Sequence, residues 1–239
     1  MTVDDKQKVA SFLDLAGDFL GSGYKSEDRN YNFSDELPVK NEEPQKLNKS
    51  ADTVEQIASE VKACKNCLLG GGRINAVPGE GAVQPVVMVI GEGPGAEEDV
   101  QGRPFVGRAG QLLDKMLSSI DLSRNTNCFI ANVVKCRPPN NRDPRPEETS
   151  ACAHFLERQI LLLKPKFILA AGRIAAQTLL KSSESIGKLR GKFFDFSAGD
   201  TVIPLICTYH PSALLRDESY KRPAWEDLKL LKSRIDNLE

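Results

Sequence analysis

Short apolar runs alternate with stretches of helical periodicity along most of the chain. Four runs rich in Val, Ile and Leu predict strands, at 85–90, 128–134, 166–171 and 202–209. Apolar residues at helical spacing before and between the runs predict helices, near 51–63, 107–119, 146–163 and 173–181. Strands that alternate with helices indicate a parallel sheet covered on both faces. The pattern therefore predicts an α/β fold, in which ligands bind beyond the carboxyl ends of the strands.

The first 50 residues have a different pattern from the rest of the chain. Apolar positions within 1–20 predict a short amphipathic helix, whereas residues 21–50 are polar and predict a disordered linker. Residues 1–60 hold 7 Lys and Arg against 13 Asp and Glu, while the remainder holds 25 against 20. A basic remainder suits a phosphate-rich partner. We therefore expect an acidic, largely disordered extension over 1–50 and one folded domain over 51–239.

The composition argues against a membrane protein and a secreted one. No apolar run approaches the roughly 18 residues that a membrane span needs. The N-terminus lacks the basic start and long apolar core of a secretory signal. We therefore expect a cytoplasmic protein. In that compartment the six cysteines are better explained as metal ligands, catalytic groups or core residues than as disulfide partners.

Four of the cysteines form two pairs with the spacing of metal ligands. Cys64 and Cys67 follow a predicted helix, and Cys136 and Cys152 flank a Pro-rich segment. Two such pairs complete a tetrahedral thiolate site, which either zinc or a four-iron cluster would satisfy. The Pro-rich segment is then expected to be a loop held at both ends by the metal. The remaining two cysteines lie inside apolar strands and are expected in the core: Cys128 and Cys207.

Residues that could bind a ligand or take part in catalysis lie at the ends of the predicted strands, at the edge where ligands bind. The first strand runs into the turn GEGPGA (91–96), the second holds Asn132, the third ends at Gly172, and the fourth ends at His-Pro-Ser (210–212). A glycine turn, a carboxylate, an amide, an imidazole and a hydroxyl thus converge, which indicates an active site. The only other histidine, His154, lies in a predicted helix and is interpreted as structural.

The glycine turn also matches the fingerprint G-x-G-x-x-G/A of dinucleotide-binding proteins. That fingerprint requires a helix that begins inside the turn and an acidic residue at the end of the second strand. After Pro94 the sequence EEDVQGRPFVG predicts a long loop instead, and the second strand ends in Val-Val-Lys (133–135). A nucleotide-binding oxidoreductase is therefore the less favoured interpretation.

Five long segments and one further cysteine carry a resemblance to a known family. The segments are CKNC, GEGPGAEEDVQGRPFVGRAGQLLDKML, NVVKCRPPNNRDPRPEE, AAGRIAAQTLL and HPSALLR, and the cysteine is Cys152. Over about residues 60–232 the chain resembles the thermostable-type, family-four uracil-DNA glycosylases. The resemblance implies a three-layer α/β/α sandwich with a four-stranded parallel central sheet. It also implies a structural 4Fe-4S cluster with these ligands: Cys64, Cys67, Cys136 and Cys152.

The activity implied by the resemblance is hydrolysis of the N-glycosidic bond of uracil in DNA. Because an enzyme that acts on a base must extrude it from the stack, Phe105 is expected to stack on the flipped uracil. Asn132 is expected to bond its Watson–Crick edge, since an amide offers a donor beside an acceptor. His210 is expected to stabilise the uracil anion at O2. The backbone of Gly91 and Gly93 is expected to cradle the base, and Ser212 is expected to bind the substrate by compressing the phosphate backbone together with Pro211.

Two further roles follow from the resemblance. Glu92 is expected to orient or activate the attacking water, with Glu98 and Asp99 as alternatives. The HPSALLR segment is expected to enter the minor groove as an apolar wedge. Its expected contacts with DNA are those of Pro211, Leu214 (or Leu215) and Arg216.

One alternative to the enzyme is a glycosylase-like module that only binds DNA or a polymerase. The presence of Glu92, Asn132 and His210 together favours the enzyme. The acidity of the first 60 residues suggests that they bind a replication or repair protein. We expect a monomer associated with the nucleoid.

Overall fold

The structure is a computed structural model, and it describes residues 52–238 together with residues 6, 7 and 10. The chain divides into two units, residues 1–50 and residues 51–239. Apart from three positions, the predictions for residues 1–50 lie outside the described residues and stay predictions. In the described part of the chain, no helix is long and apolar enough to cross a membrane.

One mixed sheet of six strands forms the centre of the fold. The strands are β1 (Glu80–Gly81), β2 (Val87–Gly91), β3 (Cys128–Asn132), β4 (Phe167–Ala171), β5 (Phe193–Ala198) and β6 (Thr201–Thr208). Their order across the sheet is β1-β3-β2-β4-β6-β5. The four predicted strands are confirmed as β2, β3, β4 and β6, with ends that differ by at most two residues. These four pair in parallel, whereas β1 and β5 pair antiparallel at the two edges.

The expected sheet of four parallel strands is therefore too small by two antiparallel edge strands. Strand β1 has only two residues, so it leaves no periodicity that a sequence pattern could show. Strand β5 alternates between half-buried and exposed residues, which is typical of an edge strand with one solvated face. The continuous apolar runs that predict buried parallel strands do not detect either of them.

Nine helices occur among residues 52–238. They are α1 (Val54–Ala63), α2 (Leu69–Gly72), α3 (Ala96–Gln101), α4 (Arg108–Ser118), α5 (Pro146–Leu163), α6 (Arg173–Leu180), α7 (Ile186–Leu189), α8 (Pro211–Arg216) and α9 (Lys221–Asp236). Short 3-10 turns cover Pro139–Asn141 and Glu218–Tyr220. The predicted helices are confirmed as α1, α4, α5 and α6.

The two faces of the sheet bury two separate apolar clusters. Successive strand side chains point to opposite faces, so Met88 and Ile90 of β2 join one cluster while Val87 and Val89 join the other. The first cluster includes buried residues of α1, α5 and α6, and the second includes residues of α4 and α9. Burying each large apolar side chain contributes roughly 1.5–3 kcal/mol. Helices on both faces thus hold the carboxyl ends of the inner strands at one common edge.

The segment after Pro94 is not the long loop that the sequence predicts. Helix α3 begins at Ala96, because the Glu98 carboxylate accepts the Gly95 N–H at 3.1 Å and caps the first turn. It ends at Gly102, whose φ of 69° is left-handed. Because this helix is present, one of the two sequence arguments against a dinucleotide site no longer applies. The other argument remains, since the second strand does not end in an acidic residue.

The Pro-rich segment between Cys136 and Cys152 is also more regular than expected. Pro139–Asn141 forms a 3-10 turn, and α5 begins at Pro146, so only part of the segment is an irregular loop. Proline fits the first turn of a helix because the N–H it lacks would have no helical partner there. Arg142 closes the loop by a double hydrogen bond to Glu148, at 2.8 and 2.6 Å.

Candidate active site

A cleft of about 500 Å³ opens at the carboxyl ends of the parallel strands. It receives residues from the turn after β2, from the end of β3, from the start of α6 and from the β6–α8 junction. Among the residues predicted from the sequence, it brings together these: Glu92, Gly93, Phe105, Asn132, His210, Ser212 and Arg216. Gly91 lies buried beneath this edge as the last residue of β2.

The floor of the cleft is fixed by the sheet register. Gly91 of β2 pairs with Asn132 of β3. A Cβ atom at Gly91 would lie 2.4 Å from Asn132 Oδ1 and 2.6 Å from the Phe105 ring. At Gly93 it would lie 2.7 Å from a methyl group of Val134. Both glycines are therefore required by close packing, with no need for an unusual backbone angle.

Asn132 is the residue with the clearest unmet hydrogen-bonding capacity. Its side chain is 1% exposed, yet Oδ1 accepts no hydrogen bond. Within the part of the chain that the structure describes, it is the only buried side-chain oxygen or nitrogen in that condition. An unpaired buried acceptor costs about 1–3 kcal/mol. Such a group inside a cleft indicates a ligand that brings an N–H or O–H donor.

His210 is held as a neutral imidazole. Its Nδ1 accepts the Ser212 backbone N–H at 3.1 Å and lies 2.8 Å from Ser212 Oγ. Burial, with a smaller contribution from the positive charge of Arg216, lowers the pKa of His210 to about 4, although the negative charge of Glu98 opposes the change. Because Nδ1 is the acceptor, the single ring proton sits on Nε2. The ring lies 5.4 Å from that of Phe105, centroid to centroid.

Glu92 is the free carboxylate of the cleft. Burial, together with the negative charge of Asp143, raises the pKa of Glu92 to about 7, and the positive charge of Arg173 opposes the rise. No described residue donates a hydrogen bond to this carboxylate. It can thus hold or accept a proton near neutral pH.

The two alternatives to Glu92 have their oxygens engaged by backbone. Glu98 accepts the N–H groups of Gly95, Val106 and Gly107, at 2.9–3.1 Å. Asp99 is buried and accepts two N–H groups from residues 74–75. Both carboxylates fix the loops around the cleft, so neither is placed to act on water.

Helix α8 contains the residues predicted to contact DNA, and their side chains differ in exposure. Leu214 is only 3% exposed and packs in the apolar cluster of α4 and α9, and Pro211 is buried as the first residue of the helix. Leu214 is therefore the core residue of the pair Leu214 and Leu215, and the DNA contacts predicted for Pro211 and Leu214 stay predictions. The apolar side chain that reaches solvent is Leu215, which is 42% exposed, and Arg216 is exposed beside it.

The four predicted ligand cysteines line a second, separate cavity: Cys64, Cys67, Cys136 and Cys152. Three of the four sulfur atoms, those of Cys64, Cys136 and Cys152, accept hydrogen bonds from N–H donors. Arg73 Nη1 donates to Cys136 Sγ at 2.8 Å, and the Lys135 N–H donates to Cys152 Sγ at 3.3 Å. Burial raises the pKa of the Cys152 thiol to about 11.

The cysteine cavity does not have the spacing of a single-ion site. No three His, Cys, Asp or Glu residues of the described ranges lie close enough together to hold one metal ion. The two other cysteines, Cys128 and Cys207, are fully buried in strands as predicted. His154 is exposed on α5 and lines neither cavity.

Several residues of the cleft are absent from the sequence prediction. Asp143 and Arg173 form an ion pair of 2.5 Å on the side of the cleft that contains Glu92. Arg173 follows Gly172 directly, so the rule for strand ends could have identified it. Asp143 lies in the Pro-rich loop, where the sequence has no periodicity to place it.

Comparison with known proteins gives one consistent result. Residues 78–229 match the family model of the uracil DNA glycosylase superfamily. The chain is 44% identical to the type-4 uracil-DNA glycosylase of Saccharolobus solfataricus, over 78% of this chain and 88% of the relative. It is 46% identical to the type-4 enzyme of Thermotoga maritima, over 77% of this chain and 95% of the relative. With the cleft that its strand ends form, the chain belongs to the type-4 uracil-DNA glycosylases.

Proposed function

We propose that this protein removes uracil from DNA by hydrolysing the N-glycosidic bond, and leaves an abasic site. The observation that carries the proposal is the unpaired Oδ1 of Asn132 at the floor of the cleft. Uracil flipped out of the duplex offers the donor that this oxygen lacks. The proposal gives each residue of the cleft a task that its geometry supports.

Asn132 reads the base. Its Oδ1 accepts the N3–H of uracil, and its amide N–H donates to a neighbouring uracil carbonyl. Cytosine presents no hydrogen at N3 and an amino group in place of O4. It would leave Oδ1 buried and unpaired, which disfavours its binding.

His210 stabilises the leaving uracil. The sugar develops positive charge as the bond breaks, and the negative charge that remains on the base concentrates at O2. A neutral imidazole with its proton on Nε2 can donate to that oxygen, because Ser212 occupies Nδ1. A donor fixed in advance stabilises charge that develops during the reaction. With a pKa of about 4, His210 acts as a hydrogen-bond donor and stays neutral throughout.

Glu92 acts on the attacking water and on the sugar. Its free carboxylate orients the attacking water, accepts its proton, and stabilises the positive sugar. The raised pKa of about 7 gives it useful basicity near neutral pH. The Gly93 backbone and the Phe105 ring complete the surface on which the base lies.

The DNA strand is bound around the rim of the cleft. Leu215 is the exposed apolar side chain of α8, and it fills the space that the flipped base leaves, as apolar wedges do in other minor-groove proteins. Arg216 and Ser212 meet the phosphate backbone beside it, since Arg216 Nη1 already lies 3.5 Å from Ser212 Oγ.

The four cysteines of the second cavity hold a 4Fe-4S cluster. The donor set fits this group, because thiolates bind iron and the Arg73 and Lys135 N–H groups stabilise anionic sulfur. The preference for a cluster over zinc comes from the resemblance to the family and from the four-cysteine donor set. A bound cluster would link the segment between α1 and α2, the segment after β3, and α5, and no step of the proposed hydrolysis uses it.

The experiment that tests the function is cleavage of a labelled oligonucleotide with one uracil, followed by alkali to break abasic sites. Matched oligonucleotides carry thymine or cytosine at the same position. We expect scission only with uracil. Protein with full iron content that binds the oligonucleotide without scission would support a DNA-binding module and overturn the enzyme.

The acidic extension is proposed to bind a basic surface of a replication or repair protein. Its charge balance supports this, since residues 1–50 hold 10 acidic side chains against 7 basic ones. A pull-down from a lysate with the full chain, compared with a chain that starts at residue 51, tests it. Equal capture of repair proteins by both chains would contradict the proposal.

A further inference from the structure

Phe105 has a backbone conformation that an aromatic residue rarely adopts. Its φ is 51°, in the left-handed region, where a Cβ atom crowds the following carbonyl. The ring is only 6% exposed, packs against Gly91 and lies 5.4 Å from the His210 ring. A strained residue persists only when its surroundings hold it, so other groups must fix this segment.

Arg124 holds the carbonyl side of the segment. It lies in the turn between α4 and β3, and its side chain is 11% exposed. Nη1 donates to the Pro104 carbonyl at 2.9 Å, and Nη2 donates to the Phe105 carbonyl at 2.8 Å. The remaining donors bind two carboxylates, Glu80 at 2.8 Å and Asp114 at 2.8–2.9 Å. Four hydrogen bonds and one further ion-pair contact, from Nη2 to Asp114, therefore engage the guanidinium.

The amide side of the segment is held from the opposite direction. Glu98 Oε1 accepts the N–H groups of Val106 and Gly107. Helix α4 closes the remaining space, since a Cβ at Gly110 would lie 1.9 Å from the Phe105 carbonyl oxygen. The Phe105 ring is thus positioned from both flanks of its own backbone.

We propose that Arg124 is a positioning residue for uracil cleavage: it holds Phe105 in its left-handed conformation so that the ring stacks on the flipped base. The inference deepens the proposed function and rests on it. Arg124 does not line the cleft, so its effect passes entirely through Phe105. Lysine cannot replace it, because an ammonium has three donors and lacks the planar fork that spans two carbonyls and two carboxylates.

Arg124→Lys tests the proposal, and Arg103→Lys is its matched control. Arg103 also binds Glu80, at 2.7 and 2.9 Å, but it is exposed and donates to neither carbonyl. The first readout is hydrogen exchange of the Val106 and Gly107 amides in full-length protein. We expect exchange to rise about tenfold or more in Arg124→Lys and to stay unchanged in Arg103→Lys. Unchanged exchange in Arg124→Lys would overturn the proposal.

The second readout is a double-mutant cycle on the single-turnover cleavage rate, with enzyme in excess over the uracil oligonucleotide. We expect Arg124→Lys to slow cleavage about tenfold, the scale of one base-stacking contact. Added to Phe105→Ala it should have no further effect, because its target is already gone. Multiplied effects would show that Arg124 acts elsewhere. A wild type that cleaves no uracil would end the proposed function, while the exchange comparison still decides whether Arg124 positions Phe105.

Discussion

The cleft and the cysteine cavity lie at the same end of β3 but differ in the hydrogen bonding of their functional atoms. In the cleft, the functional atoms of Asn132 and Glu92 have no partner among the described residues. In the cysteine cavity, Cys136 and Cys152 already receive N–H donors. Unsatisfied groups suit a ligand that arrives and leaves, whereas satisfied sulfurs suit one that stays. Changes in the cleft should therefore alter catalysis, and changes in the cavity should alter stability.

The two regions are joined by one buried side chain. Lys135 is 1% exposed, and its Nζ donates to the Asn132 carbonyl at 3.0 Å and to Gln159 Oε1 at 2.7 Å. Its backbone N–H binds Cys152. The cleft and the cavity are thus neighbours in the structure, so variants of residues close to each other test whether one region acts on catalysis and the other on stability.

The largest effect is expected from Asn132→Ala. Removing the amide removes the recognition of N3–H, and kcat/KM for uracil should fall about 10⁴-fold. Because the buried Oδ1 has no partner, the melting temperature should stay the same or rise. Steady-state kinetics and thermal unfolding measure the two quantities. A large fall in melting temperature would show that Asn132 is structural and would break the comparison.

The next largest effect is expected from His210→Ala. Loss of one fixed donor to the leaving group should lower kcat about 10²–10³-fold. KM should change little, because the donor acts mainly on charge that develops in the transition state. Ser212→Ala, which leaves Nε2 in place, is the matched control and should cost less than His210→Ala. Equal losses in both variants would contradict the role of Nε2.

Glu92→Gln is expected to lower kcat about 10²-fold and to change the pH profile. In the wild type the base must be ionised, so the rate should rise with pH and level off above the pKa of about 7. That rise should be absent in Glu92→Gln. Glu97→Gln, a change in an exposed carboxylate nearby, should keep the wild-type profile. A wild-type rate that is flat from pH 6 to 8 would exclude Glu92 as the base.

The smallest effect on catalysis is expected from Cys152→Ser, which acts on the other region. Iron content should fall, and the melting temperature should drop by about 10 °C or more, since metal binding is coupled to folding. The rate at 25 °C should change by less than about fivefold, because no step of the proposed hydrolysis uses the cysteine cavity. Cys128→Ser, outside the cavity, should keep its iron. A catalytic loss as large as that of Asn132→Ala would show that the cysteine cavity contributes to catalysis as well as to stability.

The sequence predicts the parallel part of the fold well, because buried parallel strands are continuous apolar runs. It also predicts Asn132 and His210, since both follow such runs at the edge where ligands bind. It does not predict β5, α3 or the burial of Leu214. Strand β5 is a half-exposed edge strand without a continuous apolar run. Helix α3 depends on a side-chain cap from Glu98, and the burial of Leu214 depends on packing against α4 and α9. Such contacts have no local pattern.

Arg124 shows the same limit more sharply. It is one arginine in a polar turn, 19 residues from Phe105, and nothing near it in sequence suggests a role. Only the folded chain shows that its guanidinium donates to the two carbonyls of the Phe105 segment and to two carboxylates. Long-range contacts of this kind become visible once the sheet and α4 are in place.

The pairing of Gly91 with Asn132 in the sheet has a consequence for fidelity at high temperature. The amide that we propose separates uracil from cytosine belongs to a central strand, which we expect to open only when the whole domain unfolds. Phe105, by contrast, lies outside the strands and is held by side-chain contacts from Arg124 and Glu98, which we expect to open at a lower free energy. On heating, the rate should therefore decline before the discrimination between bases does. Below its melting temperature the protein should become slow without becoming promiscuous.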